Sequence, residues 1–173
     1  AEFLGTFLFV FISLTVVISN ILYTDIGTVG VALAIGFSYA ALVWATVHLS
    51  GGYLNPAIVV SLWLAQKITF YKGAIFIIFQ IFAGYVASLL VGFIFGSGSL
   101  ELHLGAPEVG PAVSVSSALI LEAILTGALV FGVFATMVDR SGPVSFGPLV
   151  LGLLLTAITI AAIIIPTSFA IPT

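Results

Sequence analysis

The sequence has no cysteine and very little charge: three Lys or Arg and six Asp or Glu among 173 residues. Without cysteine, disulfide bonds and thiol chemistry are excluded. Three basic residues are too few for a nucleic-acid-binding patch, and a net charge of −3 is too small to indicate a charged partner. Apolar residues make up 62% of the chain, with a mean hydropathy of +1.40. This composition predicts an integral membrane protein.

Five apolar segments are long enough to cross about 30 Å of hydrocarbon. They are Glu2–Leu22, Thr28–Val47, Tyr71–Phe95, Val115–Val138 and Phe146–Ile165. A sixth, Pro56–Gln66, is too short to span and has the length typical of a re-entrant segment. We therefore expect an all-α membrane bundle of five spans plus one re-entrant half-helix.

The basic residues predict an orientation. Lys67 and Lys72 lie between the second and third spans, and Arg140 lies between the fourth and fifth. The positive-inside rule places these loops and the N-terminus in the cytoplasm. We expect a protein of the cell membrane.

The fourth span repeats a pattern of the first. Residues 2–11 and 122–131 share Glu-x3-Thr-x3-Val-Phe, and both matches begin with a glutamate, which is rare and costly inside a span. Repeats of three spans have opposite orientations, so the pattern predicts an inverted repeat. The expected division is a first repeat at 1–96, a connecting extracellular loop at 97–113 and an incomplete second repeat at 114–173.

Ser50-Gly51-Gly52-Tyr53-Leu54-Asn55-Pro56-Ala57 precedes the short apolar segment. Asn55 is suited to cap a helix that begins at Pro56, and it is also suited to offer its amide to a solute at mid-membrane. Both roles are compatible, because a cap uses only the side-chain oxygen. The repeat places a degenerate counterpart at Ile171, Pro172 and Thr173, where only the proline agrees.

Gly51 and Gly52 permit an extended approach to Asn55. We expect the carbonyls of Gly51, Gly52, Tyr53 and Leu54 to face a channel, since irregular backbone at this depth is tolerated where it lines a cavity. A plain tight turn is the alternative.

Intramembrane Glu2 and Glu122 are candidates for proton carriers or for supports of the re-entrant loops. The spans offer no chain of titratable groups for a relay, so we favour support, with Gln80 in the same role. We expect Glu122 to hold the loop of Asn55 and Glu2 to hold its counterpart. We see no nucleophile–base pair, metal cluster or phosphate loop, so we expect neither an enzyme nor a cofactor or metal.

Several motifs together resemble the major intrinsic protein family, the aquaporins and glycerol facilitators. They are residues 1–6, the segment from Ser50 to Ala57, Ile77–Gln80, Glu122–Thr126 and Phe146–Gly152. The resemblance implies a homotetramer in which each subunit has its own pore, with six spans and two half-helices that meet at mid-membrane. It also implies that the two motif asparagines orient water while the half-helix dipoles repel protons and cations.

The family also has an outer constriction, which the resemblance places at Ile35 and Thr159. Strict water channels of the family have Phe and His there, so the resemblance implies a wider opening that admits glycerol, urea or ammonia. The family's arginine follows the second motif, and Arg140 cannot replace it from a cytoplasmic loop.

The sequence thus predicts a passive channel for water and small uncharged solutes. A non-conducting membrane scaffold or junction protein on the same fold is the alternative, because an Ile stands where a second Asn is expected. An ion-coupled transporter is disfavoured, because the spans contain no charged pair other than the two glutamates.

Overall fold

A computed structural model describes residues 1–23, 25–105, 109, 113–139, 141–142 and 144–164. Within them the chain forms seven α-helices: α1 (Glu2–Leu22), α2 (Gly27–Ser50), α3 (Pro56–Leu64), α4 (Phe70–Phe95), α5 (Ser97–Glu101), α6 (Val115–Val133) and α7 (Gly147–Ile164). One π-helical turn, Phe134–Val138, continues α6. Short 3-10 turns lie at His103–Gly105 and Val144–Phe146.

Four of these helical segments are long and apolar enough to cross a membrane: α1, α2, α4 and the continuous stretch Val115–Val138. α7 follows as an apolar helix of 18 residues. When the π-helical turn is counted with α6, the five long helical segments begin and end within three residues of the predicted spans. α3 has nine residues, about 13 Å of helix, so it ends well short of crossing about 30 Å of hydrocarbon.

The predicted connecting loop 97–113 is not wholly irregular, since it contains α5 and the turn at His103–Gly105. Gly96 is the N-cap residue of α5, and the Ser99 hydroxyl donates to the Gly96 carbonyl at 2.8 Å. Arg140 and the expected second motif at Ile171, Pro172 and Thr173 lie outside the described residues.

The outer surface of the bundle carries many large apolar side chains, and its interior holds apolar residues together with a few polar ones. Phe93 is 86% exposed and Phe131 73% exposed, whereas Glu2 and Gln80 are almost fully buried. Lipid does not drive apolar side chains inward, but every polar group in lipid needs an internal partner. Four threonines satisfy this rule within their own helices, each hydroxyl donating to the carbonyl four residues earlier: Thr46, Thr136, Thr156 and Thr159.

α2 and α7 form the most extensive helix pair and cross at Gly36 and Gly152, the glycines of two corresponding tripeptides, Ala34-Ile35-Gly36 and Val150-Leu151-Gly152. A Cβ on Gly152 would lie only 2.5 Å from the Gly36 carbonyl oxygen and 2.5 Å from the Ala40 Cβ. Any larger residue would separate the helices, so the crossing depends on these glycines. Equivalent positions meet here, as expected for two halves related by an axis in the membrane plane.

One face of the half-helix α3 packs into the bundle, against α4 and α6. Its buried residues Ile58 and Leu62 belong to an apolar cluster that α2, α6 and α7 complete through Tyr39, Val43, Leu129, Val133 and Leu151. This packing fixes the helix start at Pro56, and with it the position of Asn55.

Candidate permeation site at the re-entrant loop

The segment Gly51–Asn55 links α2 to the half-helix through left-handed backbone. Gly51 ends α2 with φ +108°, and its N–H donates to the Val47 carbonyl at 3.1 Å. Gly52 follows at +64°, and Leu54 adopts +48° without being glycine. A non-glycine residue held in this region costs about 1–3 kcal/mol. The surroundings must therefore hold Leu54 in place.

Gly52 is required because the loop folds back along α2. A Cβ at this position would lie 2.9 Å from the Val43 carbonyl oxygen and 3.1 Å from the Val47 Cα. Both atoms belong to the backbone of α2, so they cannot move aside as a flexible side chain can. The second glycine of the motif thus permits close approach as well as the positive φ.

Leu54 is fixed by packing against α1. Its side chain is 2% exposed and fills the space above Gly5, where a Cβ would lie 2.5 Å from the Leu54 Cδ2. Gly5 belongs to the Ala-Glu-Phe-Leu-Gly-Thr run at the start of α1. The small residue in α1 thereby accommodates the strained residue of the loop.

Glu2 holds the same loop through its carboxylate. Oε1 accepts from the Ser50 hydroxyl at 2.6 Å and from the Tyr53 N–H at 3.2 Å. Oε2 accepts from the Leu54 N–H at 2.9 Å and from the Gln80 side-chain amide at 2.7 Å. All four partners are donors and none is a cation, so hydrogen bonds to the acceptor-only carboxylate compensate its burial.

This arrangement corrects the prediction that Glu122 supports the loop of Asn55. α1 and α2 are antiparallel, so the start of α1 lies beside the end of α2 within the same repeat. Glu122 is exposed and makes no hydrogen bond among the described residues. The prediction paired each acid with the loop of the other repeat, and that pairing is wrong for Glu2.

Gln80 connects the loop to α4. Its Nε2 donates to Glu2, which fixes the orientation of the amide, because the reverse orientation would face an oxygen towards a carboxylate. Gln80 is 2% exposed, and its Oε1 has no hydrogen-bond partner. The Gln80 side chain therefore donates to Glu2 but leaves its own buried Oε1 without a hydrogen-bond partner.

Asn55 caps α3. Its Oδ1 accepts from the Ala57 N–H at 2.8 Å, its carbonyl accepts from the Val59 N–H at 3.1 Å, and Pro56 occupies the first helical position. The side chain is half-buried, and its amide nitrogen donates no hydrogen bond to any described residue. Capping uses only the side-chain oxygen of Asn55, so both N–H donors of its half-buried amide are available.

The loop carbonyls differ from one another. The Tyr53 carbonyl accepts from the Tyr39 hydroxyl at 3.1 Å, whereas those of Gly51, Gly52 and Leu54 accept no hydrogen bond among the described residues. Tyr39 is a site residue that the sequence analysis missed. Its phenol within an apolar span was the available signal, since a buried tyrosine hydroxyl usually finds a partner.

Ile35 and Thr159 lie on the two helices that cross at the glycines. Ile35 is buried beside Val17 and Val31, and Thr159 is buried with its hydroxyl donating to the Leu155 carbonyl at 2.8 Å. Ile35 therefore presents an apolar side chain, and the hydroxyl of Thr159 already has a hydrogen-bond partner within its own helix.

A family model described as major intrinsic protein matches residues 1–171. The chain belongs to the major intrinsic protein family. Curated relatives include the probable aquaporin TIP4-1 of Oryza sativa subsp. japonica, 38% identical over 76% of this chain and 51% of the relative. Aquaporin Z of Photorhabdus laumondii is 32% identical over 94% of this chain and 74% of the relative.

The aquaglyceroporin structure from Plasmodium falciparum has the same fold, with a TM-score of 0.78, 23% identity, and coverage of 96% of this chain and 72% of that chain. The chain spans about half to three quarters of the length of the curated relatives named here. Membership of a family of channel proteins supports the expectation that it is not an enzyme, and the apolar helices make it an integral membrane protein.

Proposed function

We propose that the protein is a passive channel for water and small uncharged solutes and that it excludes protons and ions. One observation carries the proposal: Asn55 caps a half-helix that packs into the bundle while its amide nitrogen keeps both donors unused by the described residues. A donor of this kind is placed to bind the oxygen of a passing water or alcohol.

The loop supplies complementary acceptors. The carbonyls of Gly51, Gly52 and Leu54 have no partner among the described residues, so a solute can donate to them while Asn55 donates to it. The N-terminus of α3 carries the positive end of the helix dipole, which opposes the entry of cations. Neutral solutes would exchange hydrogen bonds with water for hydrogen bonds with the loop, so passage needs no coupled energy source.

Ile35 and Thr159 are proposed to form the narrow outer part of this path and to admit glycerol, urea or ammonia besides water. Isoleucine and threonine are smaller than the Phe and His of strict water channels, so the double variant Ile35→Phe with Thr159→His should narrow the opening. We expect glycerol entry into liposomes to fall more than water entry. An equal fall in both would contradict this assignment.

The proposal is tested by stopped-flow light scattering on liposomes that contain the purified protein. Water permeability should exceed that of empty liposomes. Asn55→Asp retains a good helix cap but adds a negative charge at the α3 N-terminus, so solute flux should fall and a cation leak should appear.

Asn20→Asp is the matched control, because Asn20 likewise accepts a backbone N–H, that of Ile26 at 2.9 Å, but lies at the end of α1. The control should leave both fluxes unchanged. Flux at the level of empty liposomes would overturn the channel proposal, and an unaltered Asn55→Asp variant would overturn the role of Asn55.

The proposal also includes assembly as a homotetramer in the cell membrane. The N-terminus and the connection that contains Lys67 then lie in the cytoplasm, together with Lys72. The support for this is the family and the position of the basic residues. Native mass spectrometry of the detergent-solubilised protein should give four copies, and protease added outside intact cells should spare the 67–72 connection.

A further inference from the structure

The Tyr39 hydroxyl occupies one of the loop carbonyls. It donates to the Tyr53 carbonyl at 3.1 Å, whereas the carbonyls of Gly51, Gly52 and Leu54 accept no hydrogen bond among the described residues. In chain order, the free acceptors of the loop are therefore interrupted at residue 53. A phenylalanine at position 39 would have the same ring without the hydroxyl, so the interruption depends on a single oxygen atom.

Packing holds the Tyr39 side chain in this position. The residue lies in the middle of α2 and is 1% exposed. Its ring meets the ring of Phe9 of α1 edge to face, with centroids 5.0 Å apart. It also belongs to the apolar cluster that contains Leu54 and Ile58. A ring enclosed in this way cannot swing aside without displacing its neighbours, so the hydroxyl stays at the Tyr53 carbonyl.

The loop does not depend on Tyr39 for its main support. Glu2 accepts hydrogen bonds from the Ser50 hydroxyl and from the N–H groups of Tyr53 and Leu54. None of these three hydrogen bonds involves Tyr39, which binds the loop only at a carbonyl. Removal of the Tyr39 hydroxyl therefore leaves the loop held by Glu2 and changes which carbonyls are free.

We propose that Tyr39 is a specificity-determining residue, which disfavours solutes with hydroxyl groups on adjacent carbons by occupying the Tyr53 carbonyl. The inference rests on the proposed channel function, in which solutes donate to the loop carbonyls. Water donates from one oxygen and can use isolated acceptors. A polyol brings several donors at once, and each donor that leaves water without finding a new acceptor makes passage more costly. Neighbouring free carbonyls therefore matter more to a polyol than to water.

Tyr39 and the proposed outer constriction act on different properties of a solute. Ile35 and Thr159 limit the size of what enters, whereas Tyr39 limits the number of acceptors that a solute meets at the loop. Glycerol is therefore expected to pass, but more slowly than its size alone would allow.

Tyr39→Phe is the variant that tests the inference. It frees the Tyr53 carbonyl and keeps the ring that packs against Phe9. Tyr85→Phe is the matched control, because it removes the same oxygen from a tyrosine that is 60% exposed on α4. The Tyr85 hydroxyl makes no hydrogen bond to any described residue, so the control leaves the loop carbonyls unchanged.

Propylene glycol and its isomer trimethylene glycol separate the number of acceptors from the width of the path. The isomers consist of the same atoms, but the hydroxyls lie on adjacent carbons in propylene glycol and on separated carbons in trimethylene glycol. Stopped-flow light scattering on liposomes measures the uptake of both isomers and of water by the parent protein and the two variants, after subtraction of uptake by empty liposomes. Amide hydrogen exchange of the segment 50–58 reports whether the loop is still held.

We expect Tyr39→Phe to raise the ratio of propylene glycol uptake to trimethylene glycol uptake by about two- to tenfold, the effect of one additional hydrogen bond. Water permeability should stay near that of the parent protein. Tyr85→Phe should keep the parent ratio. Hydrogen exchange in the segment 50–58 should be the same in all three proteins, because Glu2 still holds the loop.

An unchanged ratio in Tyr39→Phe would overturn the inference, and so would an equal rise in both isomers, which is what a wider path alone produces. A parallel fall in the uptake of water and both isomers, with faster exchange of the segment 50–58, would also overturn it by showing that Tyr39 only supports the loop. If the parent protein conducts water no better than empty liposomes, the proposed function itself fails, and the inference fails with it.

Discussion

Glu2 and Glu122 stand at the same position of the two sequence repeats, but only Glu2 has hydrogen-bond partners among the described residues. Glu2 is 3% exposed and accepts four hydrogen bonds, two of them from the backbone of the Asn55 loop. Glu122 is exposed and has no hydrogen-bond partner among the described residues. The burial of the Glu2 carboxylate is therefore explained by its hydrogen bonds to the Asn55 loop. The sequence pattern that Glu2 shares with Glu122 does not show which loop each acid contacts.

The difference follows from the topology of one repeat. The start of the first span lies beside the end of the second, which is where the re-entrant loop begins. The same rule applied to the second repeat assigns Glu122 to the loop after α7. Residues 165–173, which follow α7, lie outside the described residues.

The largest effect is expected for Glu2→Ala, which removes the acceptor of four donors. A buried donor left without a partner costs about 1–3 kcal/mol, so the loss of stability should reach at least about 3 kcal/mol. Thermal unfolding in detergent, followed by circular dichroism, measures it, and water flux should be lost with the loop. A variant with normal stability and flux would show that Glu2 is not the main support of the loop.

A smaller effect is expected for Gln80→Leu. The change removes the donor at 2.7 Å from Glu2, but it also removes Oε1, a buried acceptor without a partner. Loss of the hydrogen bond destabilises the protein, whereas loss of the unpaired acceptor stabilises it. The expected loss of stability is therefore about 1 kcal/mol, below the 1.5–3 kcal/mol typical of a hydrogen bond to a charged group. Gln80→Glu is the informative companion, because two adjacent carboxylates should destabilise the protein much more. Equal stability of the two variants would contradict the contact with Glu2.

The smallest effect on the Asn55 loop is expected for Glu122→Ala. Since Glu122 makes no hydrogen bond to any described residue, amide hydrogen exchange of the segment 50–58 should match that of the parent protein. Glu2→Ala should raise exchange in this segment, because the Tyr53 and Leu54 N–H groups lose their acceptor. Faster exchange in Glu122→Ala would restore the original prediction for this acid.

Much of the fold could be predicted from the sequence because its signals are local. The length of each apolar run determined the five long helices, and Asn55 followed by Pro56 determined where α3 begins. The cap at Ala57 is only two residues from Asn55. The partners of Glu2 could not be predicted in this way, because Ser50 and Gln80 are 48 and 78 residues distant along the chain.

By itself, the sequence determined the membrane environment, the family, the spans and the position of the capped half-helix, because hydropathy and capping act over a few neighbouring residues. Only the tertiary structure decided which glutamate holds the loop, why Leu54 tolerates a φ of +48°, and that Tyr39 binds the Tyr53 carbonyl. These outcomes depend on how close α1, α2 and α4 approach one another. Gly5 permits the approach of α1 to Leu54 and to Thr46 of α2, whose positions are distant from it in sequence.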